Sequence, residues 1–141
     1  MSPDRAAVPT VATGKWKSPY DGAIWTNAGD VDIDHLVALK EAWESGASTW
    51  TSTDRMRYAN DLDFSATLVA VTENVNQSKS DRDPAEWLPP LASSRCDYAT
   101  KWVHVKYRWR LSVSKAEQTT LATILSGSCG NRTILVPARA R

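Results

Sequence analysis

The chain has 141 residues, of which 42% are hydrophobic, 9% aromatic and 23% charged, with a formal net charge of +1, which suits one ordinary globular domain around a single core. No apolar run approaches the roughly 20 residues needed to cross a bilayer, and the first thirty residues lack the basic-then-apolar pattern of a secretory signal, so membrane-spanning and collagen-like classes are excluded. Charge is unevenly placed: residues 1–70 hold six Lys/Arg against ten Asp/Glu and residues 71–141 hold eleven against six, which disfavours a protein that coats DNA by phosphate neutralisation alone.

Residues 1–14, with Pro3, Pro9 and Gly14 and no periodicity, read as a disordered lead-in to a single domain over 15–141. From Trp16 to Asp30, the turn signals Ser18-Pro19, Asp21-Gly22 and Gly29-Asp30 punctuate Trp16, Tyr20 and Trp25, predicting a loop or ribbon packed on the domain. Val31-Asp32-Ile33-Asp34-His35 alternates apolar and polar residues at period two, the pattern of a half-buried strand. Leu36–Ser45 has helical composition and stops at Gly46; Ser52 and Thr53 offer N-caps for a helix carrying Met56, Ala59 and Leu62. Thr67–Thr72 contains the apolar run Leu68-Val69-Ala70-Val71, a buried strand.

The polar stretch 73–83 follows. Asp83-Pro84-Ala85-Glu86 has the features of a helix start, closed within about two turns by Pro89-Pro90. Tyr98, Trp102, Val105 and Trp109 form a helical stripe, and Ser114-Lys115-Ala116-Glu117 is a capping box for a helix with Leu121, Ile124 and Leu125 that ends at Gly127. The predicted class is α+β, with two short strands and otherwise helices. Cys96 and Cys129 are too few for a four-ligand zinc site and form no CxxC. A single disulfide or two buried thiols would satisfy them; the disulfide would add roughly 3–4 kcal/mol and imply an oxidising compartment.

Two stretches carry chemistry. Asp30-Val31-Asp32-Ile33-Asp34-His35 places three carboxylates within five residues, directly followed by one of two histidines. Such crowding is costly unless solvent or a cation neutralises it, and oxygen ligands suit hard divalent ions. The bland alternative is a solvated strand face. Asn74 to Arg82 is rich in amides, hydroxyls and bases; amide oxygens are neutral hard ligands, and Lys79 and Arg82 could hold phosphates. Its bland alternative is a solvated loop or helix start.

Together these stretches resemble the HNH, or ββα-metal, nuclease family. Asp34-His35 ends one strand, Leu68-Val69-Ala70-Val71 ends a second, and Asn76-Gln77-Ser78-Lys79-Ser80-Asp81 is similar to the helix-opening run in the HNH domain of RNA-guided CRISPR effectors. More specifically, the chain resembles HNH endonuclease-like proteins, often secreted in actinobacteria, related to the C-terminal domain of the GmrSD restriction enzymes. That likeness runs from about Trp16 to Cys129 and includes Ser18-Pro19-Tyr20-Asp21-Gly22, Glu41-Ala42-Trp43-Glu44-Ser45-Gly46-Ala47, Tyr58-Ala59-Asn60-Asp61 and Trp87-Leu88-Pro89-Pro90. One departure is Thr67, where the family usually has an Asn thought to brace the histidine loop.

The resemblance implies a ββα-metal core surrounded by further helices and a metal-dependent endonuclease acting on nucleic acid, DNA rather than RNA, with little sequence preference. It assigns His35 as general base and Asp34 and Asn76 as ligands of one divalent cation, Mg²⁺ or Mn²⁺. Asp32 and Thr67 would support these residues from behind. Lys79, on the helical face of Asn76, is the first candidate for a phosphate contact, followed by Arg55, Arg57 and Arg82. Cys96 and Cys129 would staple two helices. Because adjacent strand residues face opposite sides, Asp34 and His35 require the strand to end or twist at Asp34. His35 also needs a partner for its other ring nitrogen, for which a backbone carbonyl is expected. The resemblance places a mature form outside the cell, and otherwise in the cytoplasm. Two alternatives stand: an inactive nucleic-acid-binding module of the same fold, and a toxin nuclease held by an immunity protein.

Overall fold

The computed structural model describes residues 13–127, 129–130 and 136–141. The lead-in anticipated through residue 14 lies outside these, apart from the two residues that open the first strand. Strands β1 (Thr13–Lys17) and β2 (Ile24–Asn27) form an antiparallel hairpin with Trp16 opposite Trp25. Gly22 turns the chain between them at φ +77, and Asp21 Oδ1 accepts from Ala23 N at 3.2 Å. Asn27 then caps the short 3₁₀ turn Ala28–Asp30, which feeds directly into β3.

β3 (Val31–His35) pairs antiparallel with β4 (Leu68–Thr72), in register from Val31↔Thr72 to His35↔Leu68. Helices α1 (Leu39–Glu44) and α2 (Ser52–Ala59) lie between them in the chain. Helix α3 (Glu73–Lys79) follows β4 without a loop, completing a strand–strand–helix unit. Helix α4 (Arg95–Trp109) supplies the core, burying Tyr98, Trp102, Val105 and Trp109, and α5 (Lys115–Gly127) packs beside it through Leu121 and Ile124. The Ser114–Glu117 capping box forms as read, with Ser114 N donating to Glu117 Oε1 at 3.0 Å and Glu117 N to Ser114 Oγ at 3.2 Å.

A buried ammonium ties three helices together. Lys106 Nζ of α4 lies 2.6 Å from Glu41 Oε2 of α1 and 2.8 Å from Glu117 Oε2 of α5, and donates to Ser45 Oγ at 2.9 Å and Ser112 O at 2.7 Å. Burying an unpaired lysine would be costly, and these partners remove the penalty. Cys96 at the start of α4 is disulfide-bonded to Cys129 beyond α5. Reduction is expected to cost about 3–4 kcal/mol of stability, read as a lower melting temperature in reductant; an unchanged melting temperature with both thiols shown free by mass would contradict this.

The fold is α+β, with four strands among the described residues rather than two. Helix α1 begins at Leu39, not Leu36, because Leu36 N is still bonded to Thr67 O at 3.0 Å at the end of the sheet. The cap of α2 is Thr51, whose side chain accepts from Asp54 N; Tyr58 is its buried residue, whereas Met56 and Leu62 are exposed. Asp83–Glu86 makes its capping bonds, Ala85 N to Asp83 Oδ1 at 2.7 Å and Asp83 N to Glu86 Oε1 at 3.2 Å, but stays a turn, since Pro89 and Pro90 leave no room to propagate a helix. No helix among the described residues is long and apolar enough to cross a membrane.

Candidate metal and catalytic site at the end of β3

Strand alternation sends Asp32 and Asp34 to one side of β3, where α3 brings Asn76 and Lys79, one helical turn apart, to meet them. Asp34 is buried, and its Oδ2 accepts from Tyr20 Oη at 2.7 Å and pairs with Lys79 Nζ at 3.0 Å. Lys79 has no exposure and also donates to His35 O at 3.2 Å. Burial lowers the Lys79 pKa, with the Asp34 charge acting against it; burial, then the Asp34 charge, raises Tyr20 well above the usual phenol value.

Asn76 Nδ2 donates to Asp32 Oδ2 at 3.1 Å. A carboxylate only accepts, so the amide nitrogen faces Asp32 and Oδ1 remains an acceptor. Asp34 likewise keeps Oδ1 beyond its bonds through Oδ2. One carboxylate oxygen and one amide oxygen, with Asp32 behind, fit a hard divalent cation completed by water and substrate. Two carboxylates against one ammonium leave a single net negative charge, so such a cation would be held weakly. A second acidic group, Glu41, Asp83 and Glu117, has ligand oxygens within 4.8 Å of one another. It fits a metal less well, because the Lys106 ammonium already bridges Glu41 and Glu117.

The imidazole of His35 leaves the strand toward α2. Its Nε2 lies 2.8 Å from Ala59 O; a carbonyl only accepts, so Nε2 donates, and in the neutral tautomer Nδ1 is then the nitrogen with the lone pair. The ring stacks on Tyr58 at 6.1 Å and 26°, and Tyr58 Oη donates to Val37 O at 2.5 Å. The β3–β4 ladder runs on through His35↔Leu68, which corrects the expected break at Asp34: the strand stays regular there, so alternation sends the two neighbouring side chains to opposite sides. The carboxylate therefore meets α3 while the imidazole meets the end of α2.

Thr67 is fully buried and touches the histidine segment through its backbone, its carbonyl accepting from Leu36 N at 3.0 Å. Its hydroxyl instead donates to Asp61 Oδ2 at 2.8 Å. Asp61 also receives Arg108 Nε and Nη2, at 2.9 and 3.0 Å, and Trp109 Nε1 at 3.0 Å. Burial would raise its carboxyl, but the bonds from Arg108, Trp109 and Thr67 outweigh this and hold it below the usual range.

Of the residues anticipated as phosphate contacts, Lys79 is turned inward and spent on Asp34, which corrects its expected role: helical spacing gave its face but not its burial. Arg55 Nη1 donates to Ala47 O and Trp50 O, Arg57 pairs with Asp54 at 3.1 Å, and Arg82 is exposed on the loop after α3. Tyr20, Asp61 and the Ala59 carbonyl carry much of the site yet were not singled out from the sequence. Tyr20 and Asp61 lie within the family-like runs Ser18–Gly22 and Tyr58–Asp61, which was the available signal.

The sequence matches the family described as GmrSD restriction endonucleases, C-terminal domain, over residues 4–124. It is 52% identical over 114 residues to a protein of Arthroderma benhamiae named "Uncharacterized secreted protein", an alignment covering 81% of this chain and 55% of that relative. The chain thus spans little more than half the length of that relative. No solved structure matches the chain.

Proposed function

The chain belongs to the family of GmrSD restriction endonuclease C-terminal domains, and from that membership we propose that it is an HNH-type, metal-dependent endonuclease hydrolysing phosphodiester bonds of nucleic acid, DNA before RNA, with low sequence specificity. The observation that carries this reading is the His35 Nε2–Ala59 O contact, which in the neutral ring leaves Nδ1 as the unprotonated nitrogen, on the residue that follows Asp34 in β3.

Hydrolysis needs a deprotonated water, relief of charge on phosphorus and help for the departing 3′ oxygen. His35 Nδ1 takes the proton of the attacking water as the new P–O bond forms and the bond to the 3′ oxygen breaks, and the departing 3′ oxygen takes its proton from a solvent water. Asp34 and Asn76 would hold the cation, with Asp32 fixing the Asn76 amide and Lys79 and Tyr20 fixing the Asp34 carboxylate. When bound, a Mg²⁺ or Mn²⁺ ion supplies charge neutralisation at the phosphate and the leaving oxygen. The low net charge of the donor set calls for millimolar-range metal. No exposed recognition helix enters the reading, so phosphate contacts would dominate over base contacts. The secreted name of the Arthroderma relative and the Cys96–Cys129 bond support an extracellular location.

The test is plasmid nicking with Mg²⁺, with Mn²⁺ and with chelator. Nicking that requires either ion and vanishes in chelator is expected. Undiminished nicking in chelator would overturn the metal assignment, and no nicking with any divalent ion would favour the non-catalytic binding module. Asn76→Ala is expected to raise the metal concentration needed for half-maximal rate, since it removes a neutral ligand and leaves Asp34 in place; an unchanged metal dependence would remove Asn76 from the ligand set.

A further inference from the structure

Beside His35 lies an apolar groove of about 310 Å³, walled by Leu39 and Trp43 of α1 and by Met56, Tyr58 and Ala59 of α2. Leu39 and Trp43 are 50% exposed and Met56 65%. Large apolar groups gathered in one concavity mark a binding surface more than scattered exposure does. The groove is continuous with the candidate site: Ala59 lines it and offers its carbonyl to His35, and Tyr58 lines it and stacks on the imidazole.

Arg55 sets the groove's character. Its guanidinium lies 5.3 Å over the Trp43 ring, and its Nη1 donates to Ala47 O at 3.2 Å and Trp50 O at 2.5 Å. Both carbonyls are neutral, so the positive charge is kept at the groove edge, whereas Lys40 is paired with Asp81 and Arg57 with Asp54. The cation also holds the indole from one side, fixing a half-exposed aromatic plane at little further entropy cost on binding. The Tyr58 hydroxyl is spent on Val37 O, so the wall presents its ring rather than its Oη to the groove.

We propose that this groove receives an unpaired nucleobase of the substrate strand, stacked on Trp43, beside the phosphate presented to His35. The inference rests on the nuclease reading and adds a substrate class, single-stranded or locally unpaired nucleic acid. An anionic strand matches the charge of Arg55, and a π-face matches the indole. Stacking on an indole is tolerant of sequence, because every base has a π-face. A base inside a duplex enters such a concavity only by leaving the stack, which costs energy that an unpaired base does not lose.

The experiment is fluorescence anisotropy in chelator, which removes turnover, with a labelled oligodeoxythymidylate and a blunt duplex as probes. Trp43→Ala is expected to weaken oligothymidylate binding about 5- to 150-fold and leave duplex binding unchanged, while Trp43→Phe keeps most of the affinity. Met56→Glu, which places a negative charge at an exposed wall position, should weaken the same probe without disturbing the core. Equal oligothymidylate binding by wild type, Trp43→Ala and Met56→Glu would overturn the inference, as would an equal loss for both probes. A shift of wild type from dimer to monomer on Trp43→Ala would assign the groove to a second copy and overturn it too. Metal-dependent nicking with unaltered binding in the variants sinks this inference alone; selective binding loss with no nicking under any ion sinks the nuclease reading alone.

Discussion

Replacing His35 by alanine is expected to slow phosphodiester cleavage by roughly 10²–10⁴-fold, the usual contribution of a positioned general base, without unfolding the protein. The imidazole is half-buried and its hydrogen bond goes to a backbone carbonyl at the end of α2, so its loss removes no partner from a buried charge. His35→Gln can restore a donor to Ala59 but provides no basic nitrogen, so it should remain as slow as His35→Ala. Cleavage rates at saturating Mg²⁺, measured beside thermal melts, make the comparison. Wild-type rates in His35→Ala would remove the residue from the chemistry, and a collapsed melt would move its role to folding.

Replacing Asp61 by alanine is expected to cost about 3–5 kcal/mol, a large share of the 5–15 kcal/mol that holds a typical domain folded. The substitution strands a partly buried guanidinium, a buried indole N–H and the Thr67 hydroxyl at once. It also frees the start of β4, where the Thr67 carbonyl holds Leu36 beside His35. Denaturant midpoints read the effect, and a loss under 1 kcal/mol would contradict it. The depressed Asp61 carboxyl gives a pH signature. A folded pKa below the unfolded one means that its contribution is full above the unfolded carboxylate value of about 3.9 and is lost as pH falls through the lower folded value. Wild type should therefore lose this increment on acidification, and Asp61→Asn should show a flatter acid limb.

What the sequence disclosed, and what it withheld, divides along physical lines. Period-two alternation located β3 at Val31–His35, and the capping box and Gly127 located α5, because both signals are local. The alternation also put Asp32 on the side of Asp34, where it holds Asn76. The need for a carbonyl on His35 followed from the chemistry of a base, but the identity of Ala59 depended on how α2 packs, which no local pattern encodes. Lys79 was assigned to the right helical face and the wrong depth, since burial is decided by Tyr20 and Asp34 arriving from distant parts of the chain. Asp61 was overlooked for the same reason: its partners are Thr67, just before β4, and Arg108 and Trp109 of α4. The Asp83 turn shows the reverse, a correct local start signal whose helix is cut off by two prolines.

The central claim is that Asp34 and Asn76 hold a cation while His35, the next residue of β3, serves as the base. Anomalous scattering from Mn²⁺ soaked into crystals of the intact chain tests it most directly. The expected result is one strong peak within bonding distance of Asp34 Oδ1 and Asn76 Oδ1, with Asp32 still bonded to the Asn76 amide nitrogen. A peak instead among Glu41, Asp83 and Glu117, or none at millimolar Mn²⁺ in crystals that remain ordered, would contradict it.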